Sequence, residues 1–136
     1  MPGASQRWPI LRRLGDERGA TAAEFALILA PLIMLTLGVI NTGLMVYTVS
    51  TLHFAAEDTA RWASIQTTTS GTAPGASTIQ TQGASVYKGP TPVVTFTANS
   101  AAACGFQITG TTTYNVSTGL TSSPVTLSAT ACYPLG

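Results

Sequence analysis

Charged residues are scarce in this chain of 136 residues. Six Lys or Arg and five Asp or Glu give 8% charged residues and a net charge of +1, whereas an ordinary soluble domain carries about 25%. No basic stripe is available to neutralise phosphates, so nucleic acid is not expected as a partner. Seven of the charges lie in the first 24 residues, and three more form one group of Glu57, Asp58 and Arg61.

Groups that perform acid–base or nucleophilic chemistry are also rare. His53 is the only histidine, and Lys88 is the only charged residue after Arg61. A Ser–His–Asp triad, a metal-binding cluster of His and Cys, and a phosphate-binding glycine loop with its lysine all lack their parts. We therefore expect no enzymatic activity, no bound metal and no cofactor.

The longest feature that is present is an uncharged run from Phe25 to Ala56, which is most apolar between Phe25 and Tyr47. A helix over residues 25–47 rises about 34 Å, enough to cross a hydrocarbon core of about 30 Å. We interpret it as a transmembrane helix. The alternative is a buried core helix, but the remaining chain is too short and too polar to enclose one.

The charges before the apolar run orient it. Four arginines precede the run and few charges follow it, which places the N-terminus in the cytoplasm and the chain beyond about residue 50 outside. A cleaved secretory signal peptide is the competing interpretation. Acidic residues in the flank, the length of the run and the lack of a clean A-x-A site weigh against it. The arginines are Arg7, Arg12, Arg13 and Arg18.

One carboxylate, Glu24, directly adjoins the apolar run and lies five residues after Gly19. An acidic group at membrane depth is costly and usually has a partner. If the chain were cut between Gly19 and Ala20, the new α-amine could pair with a Glu24 carboxylate of a neighbouring subunit. The simpler interpretation is an interfacial acid that marks the end of the span.

Residues 18–63 combine a G-A-x-A-x-E-F-A-L start, an internal proline, two later glycines and an A-A-x-x-x-A-R-W-A close. This segment resembles the N-terminal signature of TadE-like proteins, which are minor pilins or pseudopilins of the tight-adherence (Tad/Flp) branch of type IV pili. Family members often carry a glutamate, an aromatic residue and a glycine late in the run. This chain has Asn41, Thr42 and Gly43 there.

The resemblance implies a processing site and a set of partners. A prepilin peptidase would cut after Gly19, Ala20 would become the first residue, and Glu24 would take the role of the family's fifth-residue glutamate in subunit pairing. The implied partners are that peptidase, other minor pilins, the major pilin and the inner-membrane assembly platform, together with membrane lipid. Pro31 is either a tolerated kink or a point at which the helix stretches in a filament.

The predicted fold is α+β and type IV pilin-like, with a long N-terminal transmembrane helix that continues outside the membrane and packs on a small C-terminal antiparallel sheet. We expect a basic leader over residues 1–19, one helix over 20–66 and a Thr/Ser-rich loop and β domain over 67–136. Period-two alternation predicts three strands, with Ala84–Lys88 as a candidate fourth and Gln66–Gly83 as an extended loop. The three strands are Thr91–Ala98, Phe106–Val116 and Pro124–Tyr133.

Two cysteines and a hydroxyl-rich strand face complete the exterior part. Cys104 and Cys132 would lie in a compartment that permits a disulfide, although their parities along the strands differ, so that a loop or bulge is needed to join them. Two free thiols are the alternative. The Thr and Ser residues that alternate with apolar ones form either a solubilising face or a surface for filament contacts.

Together these features predict a single-pass protein of a bacterial inner membrane that takes part in Tad pilus assembly, in the membrane or in the fibre. A signal-anchored extracytoplasmic binding module and a secreted small β protein are the alternatives.

Overall fold

The computed structural model describes residues 17–117 and 121–135. It is an α+β fold in which a long N-terminal helix precedes, and in its second half packs on, a three-stranded antiparallel sheet, as predicted. The chain divides into two compact units between Leu37 and Gly38, which we call the N-terminal unit and the head unit. The elements are α1 (Glu17–Ser70), α2 (Ala76–Val86), β1 (Val94–Ala102), β2 (Gly105–Ser117) and β3 (Ser122–Tyr133).

The described part of the N-terminal unit is the first part of α1. Every residue from Gly19 to Ile40, the last three of which belong to the head unit, is exposed. Apolar side chains dominate, and the Thr36 hydroxyl donates to the Leu32 carbonyl 2.8 Å away, so this polar group is satisfied within the helix. Pro31 lies inside α1. The leader expected over residues 1–19 falls largely outside the described residues.

The second half of α1 presents a stripe of small residues to the sheet. Leu52, Ala55, Ala56, Thr59 and Ala63 form the predicted inner face, and each is fully buried. Their spacing of three and four residues keeps them on one side of the helix. Because these side chains are mostly short, larger residues of the sheet such as Phe96, Phe106 and Ile108 fill the core against them.

Helix α1 ends at Ser70, four residues beyond the expected end. The hydroxyls of Thr67, Thr68, Thr69 and Ser70 each donate to the carbonyl four residues earlier, at 2.7–3.0 Å. Gly71 then adopts φ +71° and donates its N–H to the Thr67 carbonyl. Glycine reaches this left-handed conformation without a Cβ clash, so it is a common helix terminator. The hydroxyl-rich stretch therefore continues the helix before it turns.

A second helix occupies part of the segment for which a loop and a candidate strand were predicted. Helix α2 covers Ala76–Val86 and buries Ile79 and Gly83, which lie one turn apart. Because only two positions of α2 are buried and one of them is a glycine, the helical period in the sequence is weak. No side chain caps the N-terminus of the helix at Gly75. The predictions of a loop over Gln66–Gly83 and of a strand at Ala84–Lys88 are therefore wrong. Packing on β1 stabilises this helix, whereas the local propensity of its residues is weak.

The sheet has the order β1-β2-β3 with antiparallel pairing throughout. The observed strands overlap the three predicted ones, although β1 starts three residues later than expected and extends to Ala102. Phe106 and Ile108 of β2 are completely buried, and the pairing places Ala98 and Ala131 on either side of Ile108. The apolar face of the sheet therefore forms the core with α1, and the hydroxyl face points to solvent.

We predict that Gly83→Ala destabilises the head unit by about 1–3 kcal/mol through overpacking. A Cβ at Gly83 would lie inside van der Waals distance of the Phe96 ring, for example 2.8 Å from Cε2. Thermal unfolding of the full chain in detergent, followed by circular dichroism, measures the change. Gly43→Ala is the matched control, because Gly43 also lies inside a helix and a Cβ there meets nothing within 4 Å. Equal stabilities of the two variants would contradict the packing assigned to α2.

Candidate functional site

The predicted processing junction lies in the N-terminal part of α1. Gly19, Ala20 and Glu24 are helical and exposed. A Cβ at Gly19 would meet nothing within 4 Å, so no described neighbour packs against this glycine. The structure brings no second described charge to Glu24, and any group that pairs with this carboxylate would come from outside the described residues.

The apolar surface that follows Glu24 is continuous and uncovered. Within α1 the most apolar 18-residue window has none of its residues buried, and this helix is the one among the described residues that is long and apolar enough to cross a membrane. Leu27 and Ile28 are 76% and 68% exposed. An apolar surface of this length without a protein cover is typical of a membrane-anchoring helix rather than of a soluble core.

Asn41 of α1 is hydrogen-bonded to the end of β2. The Asn41 Nδ2 donates to the Ser117 carbonyl at 2.8 Å, and the buried Tyr114 hydroxyl donates to the Asn41 carbonyl at 3.4 Å. Asn41 thereby ties the end of β2 to the helix. Six residues later the Tyr47 hydroxyl donates to the Lys88 carbonyl at 3.3 Å. The departure from the family pattern at Asn41 is thus a structural contact, which the sequence alone could not reveal.

A buried hydroxyl network holds the segment that precedes β1 against the sheet. Thr112 of β2 donates to the Val93 carbonyl at 2.6 Å and lies 2.9 Å from the Thr91 hydroxyl, which in turn bonds the Tyr87 hydroxyl. Tyr87, Thr91 and Thr112 are all buried. Buried hydroxyls that satisfy one another stabilise a unique arrangement. The sequence pattern alone does not reveal this network, because its members lie up to 25 residues apart.

The two cysteines form a disulfide with a Cα–Cα distance of 6.1 Å. Cys104 lies in the turn between β1 and β2, and Cys132 lies in β3 opposite Gln107. Because Cys104 is outside the strands, its side chain does not follow their alternation, which resolves the difference in parity. Gly105 supports this turn with φ +116°, and a Cβ there would collide with the Tyr133 carbonyl oxygen.

Side chains that commonly bind metal ions are sparse in this chain. No group of three or more His, Cys, Asp or Glu that could hold a metal ion occurs among the residues that the structure describes. The exposed strand face carries hydroxyls instead, such as Thr109 and Thr130, whose oxygens are 3.2 Å apart across the β2–β3 pair. This face offers neutral hydrogen-bonding groups and no charge.

Comparison with known proteins identifies the helical segment. A family model described as TadE-like protein matches residues 19–61, which confirms the resemblance predicted from the motif. The match covers the junction, the apolar surface and most of the small-residue stripe. No curated protein and no solved structure matches the chain.

We predict that removing the disulfide weakens the head unit strongly. It closes a loop across 28 residues, and the chain-entropy account gives about 3.5 kcal/mol for a loop of that length. The double variant Cys104→Ser/Cys132→Ser should unfold roughly 15 °C or more below the parent in detergent. Ala103→Ser, an exposed change in the same turn, serves as control. A double variant within about 1 kcal/mol of the parent would contradict this role.

Proposed function

We propose that this chain, TadE-like over residues 19–61, is a membrane-anchored minor pilin or pseudopilin that takes part in the assembly of a Tad-type (Flp) pilus. The observation that carries the proposal is the uncovered apolar surface of α1 within the TadE-like segment, followed in the same helix by a packed head. A structural subunit needs these two surfaces: one for lipid or for other pilin helices, and one for its own head.

The contacts of Asn41 refine the position of the membrane span. Since Asn41 is hydrogen-bonded to β2, we place the end of the span before this residue, over about Ala20–Ile40 rather than Phe25–Tyr47. Twenty-one residues rise about 32 Å, which still crosses the hydrocarbon core. Glu24 then lies about one turn inside the span, where an unpaired carboxylate is least favourable.

Topology follows from charge and redox chemistry. The basic flank before Gly19 favours a cytoplasmic N-terminus by the positive-inside rule. The Cys104–Cys132 disulfide favours an extracytoplasmic head, because disulfides persist in oxidising compartments and are rare in the cytosol. The two arguments are independent and agree on an inner-membrane protein with its head outside.

Leader removal would convert this anchored precursor into an assembly subunit. The proposed cut after Gly19 by a prepilin peptidase removes the basic flank and creates an α-amine at Ala20. That amine could neutralise the Glu24 carboxylate of a neighbouring subunit inside an apolar helix bundle, where the attraction between the two charges is strong. The pairing would select subunits in the correct axial register.

The proposed role is structural rather than enzymatic, and the proposed partners follow from the stages of assembly. The peptidase acts first, the inner-membrane platform then extracts the subunit from lipid, and other minor pilins and the major pilin pack against the exposed surface of α1. The uncharged hydroxyl face of the sheet suits contacts in a fibre, because few ions would lose their hydration there.

Mass spectrometry of the mature protein from its own cells tests the processing step. We expect an N-terminus at Ala20, because Gly19 is exposed and lies at the start of the TadE-like segment. An intact leader would support a plain signal-anchored binding module, and a start near Ala56 would support a secreted β protein. Either result would contradict the proposed function.

Neutralising the membrane carboxylate tests subunit pairing. Glu24→Gln should leave membrane insertion and leader cleavage unchanged but reduce incorporation into the pilus assembly by roughly tenfold, since loss of one buried charge pair costs about 1.4 kcal/mol or more. Co-purification with the other pilins measures incorporation. Asp16→Asn removes a carboxylate from the leader and should have no effect after cleavage. Normal incorporation of the Glu24 variant would refute the pairing role.

A further inference from the structure

The two edges of the sheet differ in whether their backbone groups are used. At the β1 edge, the Gln80 side chain of α2 acts as a substitute strand: its Nε2 donates to the Val94 carbonyl at 2.7 Å, and its Oε1 accepts from the Phe96 N–H at 2.7 Å. Covering an edge in this way prevents further strands from pairing with it. No comparable cover lies on the β3 edge among the residues that the structure describes.

The pairing register identifies the unused groups of β3. The backbone N–H and C=O groups of Val94 and Phe96 point away from β2. Those of the intervening Thr95 therefore point toward its partner Thr111. In an antiparallel sheet the groups of successive residues point to alternate sides, so Thr112 bonds its β3 partner Leu127. The outward groups of β3 are therefore those of Thr126, Ser128, Thr130 and Cys132, which form a regular row of donors and acceptors.

A groove runs between this edge and one face of α1. Phe54, Glu57, Asp58 and Arg61 lie on successive turns of the helix and face Thr130–Tyr133 across a cleft of about 560 Å³. A second cleft continues past Tyr133, with Ile65 on its helix wall. Phe54 and Ile65 are 62% and 52% exposed. The groove thus combines the outward backbone groups of β3 on one wall with apolar and charged side chains of α1 on the other.

The charges of the groove select the occupant. Glu57 and Asp58 with Arg61 leave a net charge of −1, and they are three of the four charged residues of the head unit, which has only Lys88 besides. A strand added to β3 would turn alternate side chains toward α1, where an apolar residue would meet Phe54 and the next inward residue would meet the carboxylates. A basic side chain complements that site.

We infer that the β3 edge is a docking site for an extended strand of another protein chain, which carries a basic residue flanked at a distance of two residues by apolar ones. Backbone pairing with β3 provides affinity, and the Phe54 and Glu57–Asp58 positions provide specificity, as in other cases of strand addition. The site does not depend on the pilus function, because it uses only the head unit.

A peptide probe tests the site on the full chain in detergent. The probe is a heptapeptide with blocked ends and the sequence Thr-Leu-Thr-Lys-Thr-Leu-Thr. Fluorescence anisotropy should give a Kd about fivefold or more lower than that of the same peptide with glutamate in place of lysine, as expected for one exposed ion pair. Methylation of its threonine backbone amides should abolish binding. Hydrogen exchange should slow at Ser128 and Thr130 but not in β1.

Charge reversal provides the matched variant. Glu57→Lys/Asp58→Lys changes only exposed side chains and should switch the preference to the glutamate peptide, whereas Lys88→Glu, outside the groove, should not. Equal binding of the lysine and glutamate peptides, full binding of the methylated peptide, or no binding at all would overturn the inference. If the chain self-associates and the peptide disrupts that association, the inference is also overturned, because the occupant of the groove would then be a second copy of the chain.

Discussion

The structure depends on one helix that must satisfy two different surroundings. From Gly19 to Ile40 α1 exposes apolar side chains along its whole circumference, which is stable only against lipid or other apolar helices. From Thr48 onward it buries a narrow stripe of small residues against the sheet. The change occurs without a break in the helix, and Asn41, which donates to the Ser117 carbonyl, lies between the two parts.

The narrow stripe explains several features of the head unit. Alanines bury little apolar area, so larger side chains must fill the core. Gly110 leaves room for two of them: a Cβ there would lie 2.9 Å from Leu52 Cδ1 and 2.8 Å from Phe96 Cε1. A core this thin provides limited stability. The Cys104–Cys132 disulfide, which uses both cysteines of the chain, adds to this stability.

Much of the fold could be predicted from the sequence because its patterns are strong. Apolar residues without charge located α1, and period-two alternation located three strands, since each strand buries one face. Helix α2 could not be predicted, because its only inward positions are Ile79 and Gly83 and a glycine adds no hydropathy signal. For the site, the motif predicts roles for Gly19 and Glu24 that stay predictions. The hydrogen bond from Asn41 to Ser117 could not be predicted, because it joins residues 76 positions apart.

The central claim is that the apolar half of α1 lies in lipid and that the membrane span ends before Asn41. A genetically encoded nitroxide amino acid, placed in turn at positions 26 to 50 of the full chain in nanodiscs, measures this directly by collision with oxygen and with a water-soluble nickel chelate. The account predicts that oxygen dominates up to position 40, with a maximum near position 30, and that the chelate dominates at the exposed positions from 42 onward. Access of the chelate throughout positions 26 to 40 would contradict it.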